Sequence, residues 1–246
     1  MSSFFKNSTY STMKHLLTHA TRYMIVFGFL LLGYNAQAQI DLGVNGGANI
    51  NQLNSPGVYT GLNIGVFASY DIDSSYFGFR AGISYNQLGG GRSDYTDAPE
   101  STDFTTTYIN RQVAFGNIEA PLFANFYLTK ENPIRPRITV GAVYGYNIST
   151  TEYRDYRLVN NTTDIYSVYS GDTENVRADF NEHHFDVAAG FGIDFTIANE
   201  RKAFIEVIYR QGINQMNAVN FGRVGNVGKV YTNSLMLNFG MTLFEL

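Results

Sequence analysis

Glu182, His183, His184 and Asp186 crowd into one short stretch of the chain, and acid–base chemistry is the first thing such residues suggest. If the stretch is a strand, His184 and Asp186 share a face, as a general base and its orienting carboxylate must. His183 then points the opposite way, so the two histidines cannot chelate one ion together. No nucleophile is marked beside them, and a polar entry to a strand explains the same residues. No enzymatic activity is expected. "GGGR" at residues 89–92 lacks the lysine and following helix of a phosphate loop, and "GFG" at 190–192 falls inside a strand pattern. Cysteine is absent, which removes thiol catalysis, cysteine metal sites and disulfides together. No cofactor is expected.

These residues sit in a chain of alternating segments. In "NIEAPLFANFYL", residues 117–128, Ile118, Ala120, Leu122, Ala124, Phe126 and Leu128 take one parity, and Glu119, Pro121, Phe123, Asn125 and Tyr127 the other. Strict period-two alternation marks a strand with two unlike faces. Seven further segments repeat the pattern, beginning near Ile40, Leu62, Phe77, Ile138, Phe185, Ile205 and Leu235. The one from Ile205 is the least clean, because Phe204 and Ile208 fall on its opposite face. Each clean stretch covers about 9–13 residues, the length a tilted strand needs to cross hydrocarbon. Connections near 71–75, 129–135 and 199–202 are short; those near 51–57, 89–109, 149–182 and 215–229 are longer. The expected fold is all-β, an eight-stranded antiparallel up-and-down transmembrane β-barrel with both termini on one side.

Which face meets lipid follows from volume. Roughly forty apolar side chains, many of them Phe, Tyr, Ile or Leu, do not fit inside an eight-stranded barrel, whose interior is only just filled by side chains. The opposite face carries Gly43, Gly47, Gly61, Gly65, Gly78, Gly82, Gly141, Gly145, Gly190, Gly192 and Gly240, which suit a crowded interior. Tyr70, Tyr85, Phe126, Tyr127, Phe195 and Phe244, near segment ends, are expected in interfacial girdles. Glu119 then points into the lumen, with Asp41, Arg80, Arg137, Asp186, Asp194, Glu206 and Arg210. Arg80, Arg137, Asp194 and Glu206 all lie close to a short turn, so they are expected to share one depth and one network, with Glu119 and Arg210 higher. Such charges are tolerable only when paired. They form either a conduction or proton path or, as so narrow a barrel favours, a plug that fills the lumen. Pro121, also lumen-facing, is expected to mark a bulge or a gap in the ladder.

The N-terminus reads as a targeting segment. Residues 13–39, "MKHLLTHATRYMIVFGFLLLGYNAQAQ", place Lys14 and Arg22 before an apolar run and then an A-x-A site. Cleavage is expected after Ala38, with Met13 the true start; 1–38 is then a signal peptide and 39–246 the barrel. The run falls short of the roughly 20 residues a spanning helix needs. Removing Lys6, Lys14 and Arg22 with no acid takes the net charge from −4 to −7. An acidic surface argues against nucleic acid or anionic lipid headgroups as general partners, while the outward apolar face is expected to meet outer-membrane lipid.

The connection 149–182 is the most informative surface. It holds Glu152, Asp155, Asp164, Asp172, Glu174, Asp179 and Glu182 against Arg154, Arg157 and Arg177. It is either a solvated loop or a protein-binding surface, with Tyr153, Tyr156, Arg157, Tyr166 and Tyr169 as anchors. Calcium binding by the acids finds no twelve-residue ligand loop.

"GNIEAPLFANFYLTKENPIRPRITVGAVYGYNI" resembles the central hairpin of the PorT-like outer-membrane β-barrels, with Glu119, Pro121, Leu122, Tyr127, Pro136, Gly141 and Gly145 at matching positions. "IDLGVNGGANINQL" and "FGFRAGISYNQLGGG" resemble that family's first and third strands, so the likeness spans the chain after residue 38. Arg137 departs from the more usual aromatic. The end "TLFEL" departs from a terminal aromatic, which makes Phe244 the assembly-signal residue. The resemblance implies an outer-membrane barrel of a Gram-negative bacterium with periplasmic termini, and its namesake is associated with a protein-secretion apparatus. The expected role is a non-enzymatic structural or protein-interaction component of the envelope, accessory to secretion. The alternative is a narrow pore or small-solute channel.

Overall fold

A computed structural model describes residues 40–53, 57–72, 76–91, 104–129, 133–163, 165–197, 201–216 and 230–246. The expected signal peptide, with Met13, lies outside them, as do Arg92 and Asp164. Strands follow one another as β1 (Ile40–Leu53), β2 (Val58–Asp71), β3 (Phe77–Gly91), β4 (Phe104–Tyr127), β5 (Ile134–Asn160), β6 (Tyr166–Asn175), β7 (His183–Thr196), β8 (Lys202–Gly212) and β9 (Thr232–Glu245). Each pairs antiparallel with the next, except that β6 pairs with β5 alone, β5 skips β6 to pair with β7, and β9 returns to β1. Eight strands thus close a ring, and β6 hangs on β5 outside it. No helix among the described residues is long and apolar enough to cross a membrane, but strands cross differently.

The ring is inside out relative to a soluble barrel. Leu62, Ile64 and Ile83 point outward with 60–66 % of their surface open, whereas Glu119, Arg137 and Arg210 point inward and are at most 3 % exposed. Inward glycines make the polar interior fit. Phe204 lies directly opposite Gly240, Phe123 opposite Gly141, Phe67 opposite Gly82, and Ile208 opposite Gly190. A Cβ at Gly141 would press on the Phe123 ring and on the Leu122 carbonyl. Large side chains therefore cross the lumen over a strand that has none at that level. Pro121 sits where the β3–β4 ladder jumps from Ala81↔Leu122 to Ser84↔Glu119, a gap that follows from its missing amide hydrogen.

Three sequence expectations need correction. Residues 104–109 are part of β4, not of a connection. The stretch 149–182 is not a loop either: 149–160 continue β5, and β6 pairs back along it. Above the barrel neither face meets lipid, so alternation vanishes while strand-forming Tyr, Thr and Val remain. Tyr127 is no girdle residue. It is 5 % exposed, donates its hydroxyl to Asp71 at 2.9 Å and carries the Arg135 guanidinium 3.7 Å above its ring.

The glycine–aromatic pairing is testable. Gly141→Val is expected to lower barrel stability by about 1–3 kcal/mol through overpacking, read by urea unfolding in detergent micelles. Adding Phe123→Leu should restore part of the loss; equal or additive destabilisation would show that the two side chains do not compete for space.

Candidate functional site

The lumen near the short turns holds one ionic network. Glu206 accepts from Arg80 at 2.6 Å, from Arg137 at 2.9 Å and from Asn238 at 3.3 Å. Arg137 also reaches Asp194 at 2.6 Å, Asn125 at 2.9 Å and Thr139 at 2.6 Å. Both guanidiniums lie over the Phe204 ring, at 4.5 and 5.1 Å. Two cations thus meet two anions, all held by hydrogen bonds, which is what makes charge tolerable in so enclosed a place.

Higher in the lumen, Arg210 grips both oxygens of Glu119 at 2.8 and 2.9 Å and also bonds Asp186. Asn86 donates to Glu119 at 3.1 Å, and Asn51 and Asn49 extend the chain of amides. The His184 Nε2 lies 3.3 Å from Glu119, so its neighbour is Glu119 and not Asp186, whose carboxylate Arg210 holds. The general base with an orienting aspartate is not assembled. His183 faces out, stacked on Tyr144 with its Nδ1 2.7 Å from the Tyr144 hydroxyl.

Apolar side chains separate and cap these tiers. Ile208 stands between Glu206 and Arg210 on β8 and packs with Phe123, Val143, Ala188 and Met236 into a buried belt. Phe204 and Ile208, the blemish in the seventh segment's alternation, are therefore lumen residues. Far from the short turns, Leu53, Leu88, Val113, Phe115, Val176, Phe180, Met216 and Val230 form a second apolar cluster. Between these fillings the lumen keeps cavities of about 40 and 20 Å³, room for a few waters. At the short-turn mouth Arg135 pairs with Asp71 at 2.9 Å and Lys202 with Asp41 at 2.6 Å. Among the described residues, no group of three or more His, Asp or Glu side chains is placed to hold a metal ion.

Sequence reasoning missed the buried Arg111–Glu152 pair, 2.5 Å apart. Arg111 shares the parity of Glu119 along an unbroken β4, so extending the alternation upward would have found it. Glu152 was hidden because the β4–β5 register slips at Gly116/Asn117, leaving an extra residue on β5 that reverses its inward parity.

Beyond the barrel, β4, β5 and β6 make a projecting sheet; at ~3.3 Å per residue, the 149–160 stretch of β5 is about 40 Å long. All five candidate surface residues lie on its β5–β6 hairpin. Tyr156 stacks on Tyr169 with centroids 5.0 Å apart, and Arg157 covers Tyr166 at 4.9 Å. Tyr153 stands lower on β5, opposite Thr173. The register slips between Arg154 and Tyr156, and there Asp155 accepts from the Ser170 hydroxyl at 2.7 Å and the Gly171 amide at 2.9 Å. The Ser170 hydroxyl first, and then the Gly171 amide, hold the Asp155 carboxyl below its usual range. Gly171 has φ +74°, which a residue with a side chain adopts poorly.

The sequence profile described as "Outer membrane protein beta-barrel domain" matches residues 35–217, well over half of the chain. The chain belongs to that family. Nothing among curated proteins matches this outer-membrane barrel. Among solved structures it is similar to Neisserial surface protein A, at 13% identity and TM-score 0.42 over 82% of this chain and 97% of that one. It is also similar to a major outer membrane protein from Thermus thermophilus, at 11% identity and TM-score 0.43, covering 83% and 100%. Ail, the attachment invasion locus protein of Yersinia pestis, matches at 11% identity and TM-score 0.39, covering 85% and 100%. These likenesses are loose, and membership rests on the family match.

Two outcomes follow from the barrel's charges. Glu206→Gln leaves Arg80 and Arg137 without their shared anion and is expected to cost about 3–5 kcal/mol, whereas Arg154→Met, which breaks the hairpin's Arg154–Asp172 and Arg154–Glu174 pairs to two solvent-exposed acids, should change barrel stability by less than about 1 kcal/mol. Urea unfolding of both variants in micelles tests the contrast, and similar losses would refute it. In the hairpin, Asp155 has a lowered folded-state value, so its stabilisation is complete above the ordinary carboxylate value of about 4 and fades as pH falls through the folded value. Hydrogen exchange at Gly171 should quicken on acidification, and Asp155→Ala should exchange fast already at pH 7; equal protection in both proteins would exclude the contact.

Proposed function

We propose that this barrel is a non-enzymatic component of the outer membrane that acts on other envelope proteins through its projecting hairpin. The short turns and both termini face the periplasm in this reading, and the hairpin stands outside the cell. The observation that carries it is the division of labour in the molecule. The membrane-spanning part is filled by two ionic tiers, an apolar belt and an apolar cap, so little of it is free to bind or conduct. The hairpin, by contrast, presents Tyr153, Tyr166 and Tyr169 with 45–59 % of their surfaces open, held in place by pairing rather than left loose. Preset aromatic surface loses little entropy on binding. The PorT-like resemblance directs the role toward protein secretion, as an accessory of the secretion apparatus.

Crosslinking of the tagged protein in its native outer membrane, read by mass spectrometry, tests this. The expected result is a stoichiometric envelope protein that disappears when Tyr153, Tyr156, Arg157, Tyr166 and Tyr169 are all changed to Ser, with the barrel still folded. Recovery of the barrel alone would overturn the interaction role. Steady single-channel conductance in planar bilayers would overturn the filled-lumen role in favour of a small-solute pore.

A further inference from the structure

The two ionic tiers of the lumen differ in their balance of charge. Lower down, Arg80 and Arg137 meet Glu206 and Asp194, two cations against two anions. In the upper tier Arg210 meets both Glu119 and Asp186, and all three are at most 3 % exposed. A buried anion in excess is costly, so this tier is short of one positive charge. It also holds two buried atoms with no hydrogen-bond partner in the protein, the Nδ1 of His184 and the Oδ1 of Asp186.

His184 answers both needs. Its ring lies against Gly145, where a Cβ would press on it, and its Nε2 is 3.3 Å from Glu119. The charged groups around it are Glu119 from β4, Asp186 from its own strand β7 and Arg210 from β8. β5 brings Gly145 to that level, and the Arg111–Glu152 pair above is balanced in itself. Neutral imidazole has one bare nitrogen, whereas imidazolium has hydrogen on both. One proton therefore brings the tier to two cations and two anions and gives Glu119 a donor at Nε2. It also makes Nδ1 a donor on the strand face that carries Asp186. Histidine is the residue type whose charge changes near neutral pH.

A route for that proton enters from one end. The cavity of about 40 Å³ is lined by Arg80 and Glu206 of the lower tier and by Glu119 of the upper, and it runs between the apolar belt and Asn45, Asn63 and Asn238. Asn63 donates to Asn238 at 2.8 Å, and Asn238 to Glu206 at 3.3 Å. Arg80 also lines the cavity of about 20 Å³, which reaches Asp194 and Lys202 at the short-turn mouth. There 21 % of the Asp194 side chain meets solvent. Cavities of this size admit water and nothing larger. The far end is closed by the apolar cap around Phe115 and Phe180. We propose that the upper tier is a one-proton binding site, with His184 as the acceptor, loaded through this polar lane from the short-turn end. In the orientation proposed above that end faces the periplasm, but the site depends neither on that orientation nor on the hairpin's role.

Ring resonances test the site and the route separately. The chain has four histidines, so nitrogen-15 labelling of histidine in the micelle-bound barrel gives few imidazole signals, and the one lost in His184→Gln is that of His184. At about pH 5, below the ordinary histidine value, both nitrogens of that ring are expected to carry hydrogen. A bare nitrogen there would overturn the proton site. Asp186→Asn, which removes the excess anion, should require at least about tenfold more protons for the same step; an unchanged midpoint would overturn the charge balance. Asn45→Leu and Asn63→Leu each fill the lane and are expected to slow deuterium exchange of the ring hydrogens at least tenfold. Unheated and heated mobilities on SDS gels show which variants keep a folded barrel. Wild-type exchange rates in a folded Leu variant would overturn the lane, since the proton would then arrive by another way. Crosslinking through the hairpin reads none of this, so either proposal can fail while the other stands.

Discussion

The ladder between β1 and β9 is the constraint from which the rest of the molecule follows. In hydrocarbon every backbone N–H and C=O must find a partner within the protein, and a sheet satisfies this only by having no edge. Closure begins where the first residue of β1, Ile40, and Leu246 exchange backbone hydrogen bonds at 2.9 and 3.2 Å. Eight strands make a narrow ring, and once it is closed its two faces have opposite tasks. The outer face meets lipid and becomes apolar. The inner face has too little room for large side chains on every strand, so a ring or guanidinium on one strand faces a glycine on the next, as Phe204 faces Gly240.

A filled lumen need not be charged, yet this one is. Arginine is long enough to span the space left over glycine strands, and its planar head serves several acceptors at once. Arg137 bonds Asp194, Asn125, Thr139 and Glu206 together, so one side chain ties four strands at one level. The apolar belt of Ile208, Val143 and Phe123 lies between the tiers and leaves room beside them for only a few waters, so the ion pairs act in a largely apolar surrounding that strengthens them. Charge and belt cooperate: the belt limits the space open to water beside the ion pairs, and the ion pairs fix the strands that hold the belt.

Much of this was legible in the sequence because lipid enforces alternation without exception over a full crossing. Parity alone assigned Glu119, Arg137 and Arg210 to the lumen, and distance from the short turns grouped Arg80, Arg137, Asp194 and Glu206. Parity gives a face, however, and not a partner. Nothing in the spacing of His184 and Asp186 tells that Arg210, from β8, occupies Asp186 while His184 turns to Glu119 on β4. The extra residue on β5 near Ile148 reverses the inward parity and so concealed Glu152. The hairpin stayed hidden for a different reason: with water on both faces no period is imposed, and only Tyr, Thr and Val content hinted at strands.

β5 joins the two halves of the molecule physically. Its lower part pairs with β7 up to Tyr146, and from Thr151 it takes β6 in place of β7, so one continuous strand runs from the ionic plug into the hairpin. Arg137 and Val143 anchor the lower part by charge and by packing, while β4 accompanies it on the other side as far as Asn160. A hairpin rooted in this way cannot swing as a tethered loop does. Its aromatic pairs are therefore presented at a set height and orientation. In the interaction role proposed for it, such rigidity would matter more than contact area, because the ordering cost of binding would already have been met in folding.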